Sequence, residues 1–213
     1  MEGFLNFITY FIGNWSHLLT LTIEHVVMVL TGLALSLIVG IPLGIICAKN
    51  ERLAKVILAV ANFIQVFPSI ALLGIMMIVL GLGFKTVVVG LFLYSLLPII
   101  RNTYIGLQEV DKSIEEAGRG VGMTAFQLLV KVQLPLAVPF LLAGIRVAAV
   151  IAIGVATLAP FVGGDGLGGD IMSGINSRNT NKIYSGALVA ALLSVFADWS
   201  LGKVQYRLER KMS

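Results

Sequence analysis

The sequence predicts an all-α, polytopic membrane protein with about five transmembrane helices. Three observations predict it. Of 213 residues, 58% are hydrophobic and only 12% are charged, about half the charged fraction of a soluble domain. The mean hydropathy is +0.97, and the apolar residues gather in runs near the roughly 20 residues that a bilayer span requires. The chain holds 23 glycines, which let membrane helices approach one another closely.

Taken from the N-terminus, Phe4, Leu5, Phe7, Ile8, Phe11, Ile12 and Trp15 recur at spacings of three and four. This pattern suits a short amphipathic helix in the membrane interface, so residues 1–18 are expected to form an extracytoplasmic interfacial segment. No Lys or Arg precedes Ser16, so a cleavable signal peptide is not expected. The spans are Leu19–Ala48, Val56–Leu80, Thr86–Leu107, Leu136–Ala159 and Ile183–Tyr206, which makes 19–213 one transmembrane domain. Asn50–Lys55 is a charged break between the first two. Gln65, Pro68 and Ser69 lie inside the second run; its halves of about 12 residues are too short to cross, so one span kinked at Pro68 is expected.

Orientation follows from Lys and Arg. With the N-terminus outside, the inner segments hold Lys49, Arg52, Lys55, Arg101, Lys112, Arg119, Lys131, Lys203, Arg207, Arg210 and Lys211. The outer segments hold only Lys85, Arg178 and Lys182. A plasma-membrane protein with N-terminus outside and C-terminus in the cytoplasm is the expectation. The formal charge of +4 is then a topology signal, and no nucleic-acid partner is implied. Cys47, His17 and His25 have no metal-type spacing, so neither a metal nor a cofactor is expected. The spans lack the clustered acid, base or metal-binding groups of a membrane enzyme.

The stretch "EEAGRGVGMTAFQLLVKVQLP", Glu115–Pro135, bears on function. Its glycines imitate a phosphate loop, but no Lys-Ser/Thr follows them, and Gly118, Gly120 and Gly122 miss the dinucleotide spacing. A helix-turn-helix reading accounts for more of it. Asp111 or Ser113 caps a first helix, with Glu115 and Glu116 near its positive end. Gly122 makes the turn. Thr124 with Gln127 forms a capping box for a second helix, whose apolar face is Phe126, Leu129, Val130 and Val132. Leu134-Pro135 stops that helix. A charged two-helix protrusion over 111–135 suits docking into a partner's groove.

This stretch resembles the E-A-A-x-x-x-G-x(9)-I-x-L-P motif of bacterial ABC importer permeases. Glu116, Ala117 and Gly118 stand at its first three positions, Gly122 at its glycine, Val132 at its isoleucine and Leu134-Pro135 at its end. Gly118 for alanine loosens the helix by about 1 kcal/mol. "GIPLGI", "QVFPSIALLGIM", "LYSLLPIIRNTYIGL" and "AGIRVAAVIAIGVATLAPFVGGDGLG" are similar to the osmoprotectant branch, the permeases for glycine betaine, carnitine and choline. The resemblance implies a type I, MetI-like core. It implies coupling helices that dock on a cytoplasmic ATPase dimer, through Glu115, Glu116, Ala117, Gly118, Arg119, Gly122, Leu134 and Pro135. It also implies a second permease subunit, ATP and Mg on the ATPase chain alone, and a separate extracellular solute-binding lipoprotein. Another small solute, such as an amino acid, is the alternative cargo. An ion-coupled secondary transporter would need more helices and an inverted repeat.

The translocation path draws its candidates from Gln65, Phe67, Pro68, Ser69 and Tyr94, for which helix packing is the competing role, and from Arg146 and Asp198. Arg146 lies deep in the fourth span and must find a partner; Asp198 is the candidate. The glycine-rich loop Val162–Asp170 faces outside, and Asp165, Gly166 and Asp170 are candidates for meeting the binding protein.

Overall fold

A computed structural model describes residues 2–212, and side chains over 5–210. The side chains of Phe4 and Lys211, both used above, lie outside the described residues. Every regular element among the described residues is helical. The order is α1 (Glu2–Gly13), α2 (Trp15–Lys49), α3 (Glu51–Val66), α4 (Ser69–Leu80), α5 (Phe84–Gln108), α6 (Lys112–Gly120), α7 (Ala125–Leu128), α8 (Leu134–Ala156), α9 (Leu167–Asn176) and α10 (Thr180–Met212). A π turn, Leu129–Gln133, joins α7 to α8, and a 3-10 turn, Ala159–Val162, follows α8.

Among the described residues, four helical runs are long and apolar enough to cross a membrane: Trp15–Lys49, Phe84–Gln108, Ala125–Ala156 and Thr180–Arg210. The central post is α5, with α2 and α8 against it and α3 and α4 on its flank. Small residues permit the closest of these contacts. Gly32, Ser36, Gly40 and Gly44 form one stripe of α2 at four-residue spacing. A Cβ at Gly32, Gly40 or Gly44 would stand 2.7, 2.8 or 2.5 Å from Leu91, Ile99 or Thr103 of α5. Without a hydrophobic drive between helices in lipid, such close backbone approach carries the packing.

Four expectations need correction. The second span is not a kinked rod: α3 and α4 are bent by 100°. Phe67 (φ −63°, ψ 136°) and Pro68 (φ −57°, ψ 133°) are both extended, because proline disfavours helix in the residue before it and cannot itself continue the hydrogen-bond ladder. Two successive extended residues turn the chain where one would only bend it. The charged break Asn50–Lys55 shrinks to Asn50, whose side chain accepts from Arg52 N and Leu53 N and starts α3 at once. Leu134-Pro135 does not stop the second elbow helix. Leu134 N donates to Leu129 O, a five-residue step, and this π turn makes room for the proline in a run continuous from Ala125. The first long helix starts at Trp15, not Leu19, and α1 packs on α10, with Phe7 edge-on to Tyr184 at 6.4 Å.

Candidate functional site

The ends and the turn of the two-helix elbow are built by local capping. Asp111 caps α6, its carboxylate accepting from Ser113 N at 2.8 Å. Those hydrogen bonds to Ser113 hold the Asp111 carboxyl below its ordinary pKa. The helix ends in a Schellman turn: Met123 N donates to Gly118 O at 3.1 Å and Gly122 N to Arg119 O at 3.0 Å. Gly122 takes φ +83°, a conformation that favours glycine. The capping box also forms: Thr124 Oγ1 accepts from Gln127 N at 3.2 Å, and Gln127 Oε1 accepts from Thr124 N at 2.9 Å.

The motif residues divide between two faces. Glu116, Ala117 and Arg119 are exposed. Glu115 turns inward, accepting from Gln133 Nε2 at 2.5 Å with Arg119 Nη2 at 3.8 Å. Gly118 is buried under Leu128, whose Cδ1 lies 2.7 Å from where a Cβ would stand. Leu134 packs with Leu129 and Ala137. Gly118 and Leu134 therefore shape the elbow instead of presenting it. Sequence reasoning does not single out Val121 and Phe126 as surface residues: they stand 77% and 73% exposed near the tip, the one inside a polar run and the other on the apolar face expected of the second helix. Behind the elbow opens a cavity of about 960 Å³ between Lys49, Gln108, Glu115, Arg119, Leu128 and Gln133.

A second constellation surrounds the α3–α4 break. Pro98 interrupts α5 and has no N–H for the carbonyl of Tyr94, four residues earlier. Gln65 Nε2 supplies that donor at 2.8 Å. In return the Tyr94 hydroxyl donates to the carbonyl of Phe67, at the break itself. Gln65, Phe67 and Tyr94 thus come together, bolting the break to the proline site of α5. Pro68 and Ser69 sit at the start of α4, which has no side-chain cap.

Arg146 and Asp198 meet in a two-point ion pair, Nε–Oδ1 at 2.6 Å and Nη2–Oδ2 at 2.9 Å. Their side chains keep 36% and 45% of their surface open. Gly202 makes room: a Cβ there would stand 3.1 Å from Arg146 Cζ.

At the end of the bundle opposite the elbow, the glycine-rich stretch is partly helical, and its first turns are tightly held. Asp165 is exposed and Gly166, at φ +93°, lies against His25. Asp170 contradicts its assignment to the surface: it is 2% exposed. Its Oδ1 lies 3.0 Å from His17 Nε2 and 3.6 Å from Lys182 Nζ. Burial drives this, because a carboxylate taken from water needs charged or hydrogen-bonding partners. Neither partner is legible in the sequence: His17 lies 153 positions from Asp170, and Lys182, on the next helix, is announced by no local pattern. Among the described residues, no group of three or more His, Cys, Asp or Glu side chains is placed to hold a metal.

Comparison with known proteins agrees with this architecture. Residues 40–213 match the family described as binding-protein-dependent transport system inner membrane component. The chain is 45% identical over 201 residues to the glycine betaine/carnitine/choline transport system permease protein of Bacillus subtilis, covering 94% of this chain and 88% of that one. It is 43% identical over 209 residues to a carnitine transport permease protein of Listeria monocytogenes, covering 98% and 94%. It is 39% identical to an osmoprotectant import permease protein of Salmonella typhimurium, covering 96% and 97%. Among solved structures, the inward-facing MetNI methionine ABC transporter superposes with a TM-score of 0.79 at 21% identity, covering 90% of this chain and 95% of that one. With its all-helical bundle, its elbow and these relatives, the chain belongs to the family of binding-protein-dependent transport inner membrane components, and is a membrane permease subunit, not an enzyme.

Proposed function

We infer that this chain forms half of the transmembrane pore of an ATP-driven importer for quaternary ammonium compatible solutes of the glycine betaine, carnitine and choline class. The relatives named for those solutes support the cargo. The elbow is the observation that carries the mechanism. It is a capped two-helix tip with Glu116, Ala117, Val121 and Phe126 exposed, aromatic and apolar side chains being what interface centres favour. It faces the cytoplasm, in keeping with the Lys and Arg count, and docks on an ATPase dimer that holds ATP and Mg. A second permease completes the pore, and a separate binding lipoprotein delivers solute at the α9 end, where Asp165 is exposed. Closure of the ATPase dimer pushes the elbow. Because α7 is continuous with α8 through the π turn, the push reaches Arg146 and the pore as rigid-body motion.

The test is co-purification of the assembled importer carrying Glu116→Lys with Phe126→Asp. The variant chain inserts and is present in membranes at the wild-type level, but ATPase recovery and solute uptake fall together. Undiminished ATPase recovery would overturn docking through this face.

A further inference from the structure

Phe63 and Phe67 form an aromatic corner beside the α3–α4 break. Their ring centroids lie 5.2 Å apart and their planes cross at 87°. Phe63 is 64% exposed, so it is not a core residue. Its surroundings argue against lipid as the neighbour. The break lies about 24 Å along α3 from Glu51, which is beside the elbow-end residue Lys49. Beyond it α4 leads to Gly83, whose N–H bonds Val162 O at 2.8 Å at the α9 end. The break is thus at membrane depth, where irregular, uncapped backbone is tolerated only against protein or a water-filled path.

The chemistry of this wall is specific. No Asp or Glu occurs between Glu51 and Glu109, so α4, α5 and all of α3 past its first residue offer a passing cation no carboxylate. Two polar groups beside the break are engaged: the Gln65 amide donates to the Tyr94 carbonyl and the Tyr94 hydroxyl to the Phe67 carbonyl. Beside them the largest electron-rich surfaces are the π faces of Phe63 and Phe67. Faces of this kind attract a quaternary ammonium group, yet hold it weakly enough for release, which conduction requires.

Resting on the cargo read above, we propose that Phe63 and Phe67 form a cation–π waypoint for quaternary ammonium groups on the translocation path. The experiment uses the assembled importer with its binding protein and ATPase. Uptake of radiolabelled choline, glycine betaine and carnitine is measured separately. Phenylalanine at 63, and in a second series at 67, is replaced by its mono-, di- and trifluorinated analogues, which weaken the π face at nearly constant size. The maximal uptake rate falls stepwise with fluorination, while half-saturation, governed by the binding protein, stays. Phe63→Leu lowers the rate about fivefold or more and Phe63→Trp retains it. Should Phe63→Leu fail to assemble, the fluorinated series still decides. A flat series at both positions overturns the waypoint. A wild-type importer that takes up none of the three solutes overturns the cargo reading, and this proposal with it.

Discussion

The elbow and the α9 end lie at opposite ends of one bundle, and local capping has a larger share in holding the first than the second. The ends and the turn of the elbow helices are secured by contacts between residues two to five positions apart, the Asp111 cap, the Schellman turn at Gly122 and the Thr124–Gln127 box, while Glu115–Gln133 and Gly118–Leu128 join the two helices. The α9 end is secured by tertiary contacts: Asp170 with His17 of α2 and Lys182 of α10, and Gly168 pressed against Thr157 at the end of α8. A locally built element keeps its shape while its outer surface stays free for a partner. An element held by distant partners moves only when several helices move together. The first arrangement suits a part that is pushed, the second a part that must respond to the whole bundle.

One substitution made at both ends breaks the comparison most directly. A Cβ at Gly168 would stand 2.0 Å from the Thr157 carbonyl oxygen, which is backbone. Gly168→Ala should cost about 3 kcal/mol or more, seen as a lowered Tm in detergent or lost membrane abundance. Gly118→Ala meets only the flexible end of Leu128 and gains about 1 kcal/mol of helix propensity, so its Tm should stay close to wild type. Equal damage at both glycines would show that the elbow is no more tolerant than the α9 end.

Asp170→Ala comes next. It removes the buried carboxylate that the His17 ring and the Lys182 ammonium share, both of which keep some access to water, and should cost about 2–3 kcal/mol. Hydrogen exchange should rise over α9 and leave the elbow unchanged. Thr124→Ala is the smallest of these effects. It removes one half of the capping box, at about 1 kcal/mol. Faster exchange should be confined to the amides of Thr124–Leu128, with Tm nearly unmoved. If exchange spread to α9, the two ends would not be separately built.

How far the sequence could be read follows the same division. Asp111, Gly122, Thr124 and Gln127 take the places their spacing predicts, because capping and turn chemistry act within a few residues. The third span is legible almost to the residue, from Thr86–Leu107 to Phe84–Gln108, because its apolar run is bounded by Gly83 and Glu109. The sequence around Pro68 predicts a kink, and the structure has a 100° break. A kink and a break share one local sequence; the difference rests on Gln65 and Tyr94 satisfying carbonyls across two helices. Val121 and Phe126 show the same limit, since neither exposed position follows from hydrophobicity alone.

By itself the sequence determined the helical membrane class, the place and capping of the elbow and the family, because hydrophobic run length, local hydrogen bonding and motif spacing are properties of neighbouring residues. Only the tertiary structure decided which face of the elbow is presented, that Asp170 is buried between His17 and Lys182, that Arg146 grips Asp198, and that Phe63 and Phe67 stand open beside a broken helix. Those outcomes depend on which distant groups meet when the helices pack, and the need to satisfy buried charges and freed carbonyls is settled only by that meeting.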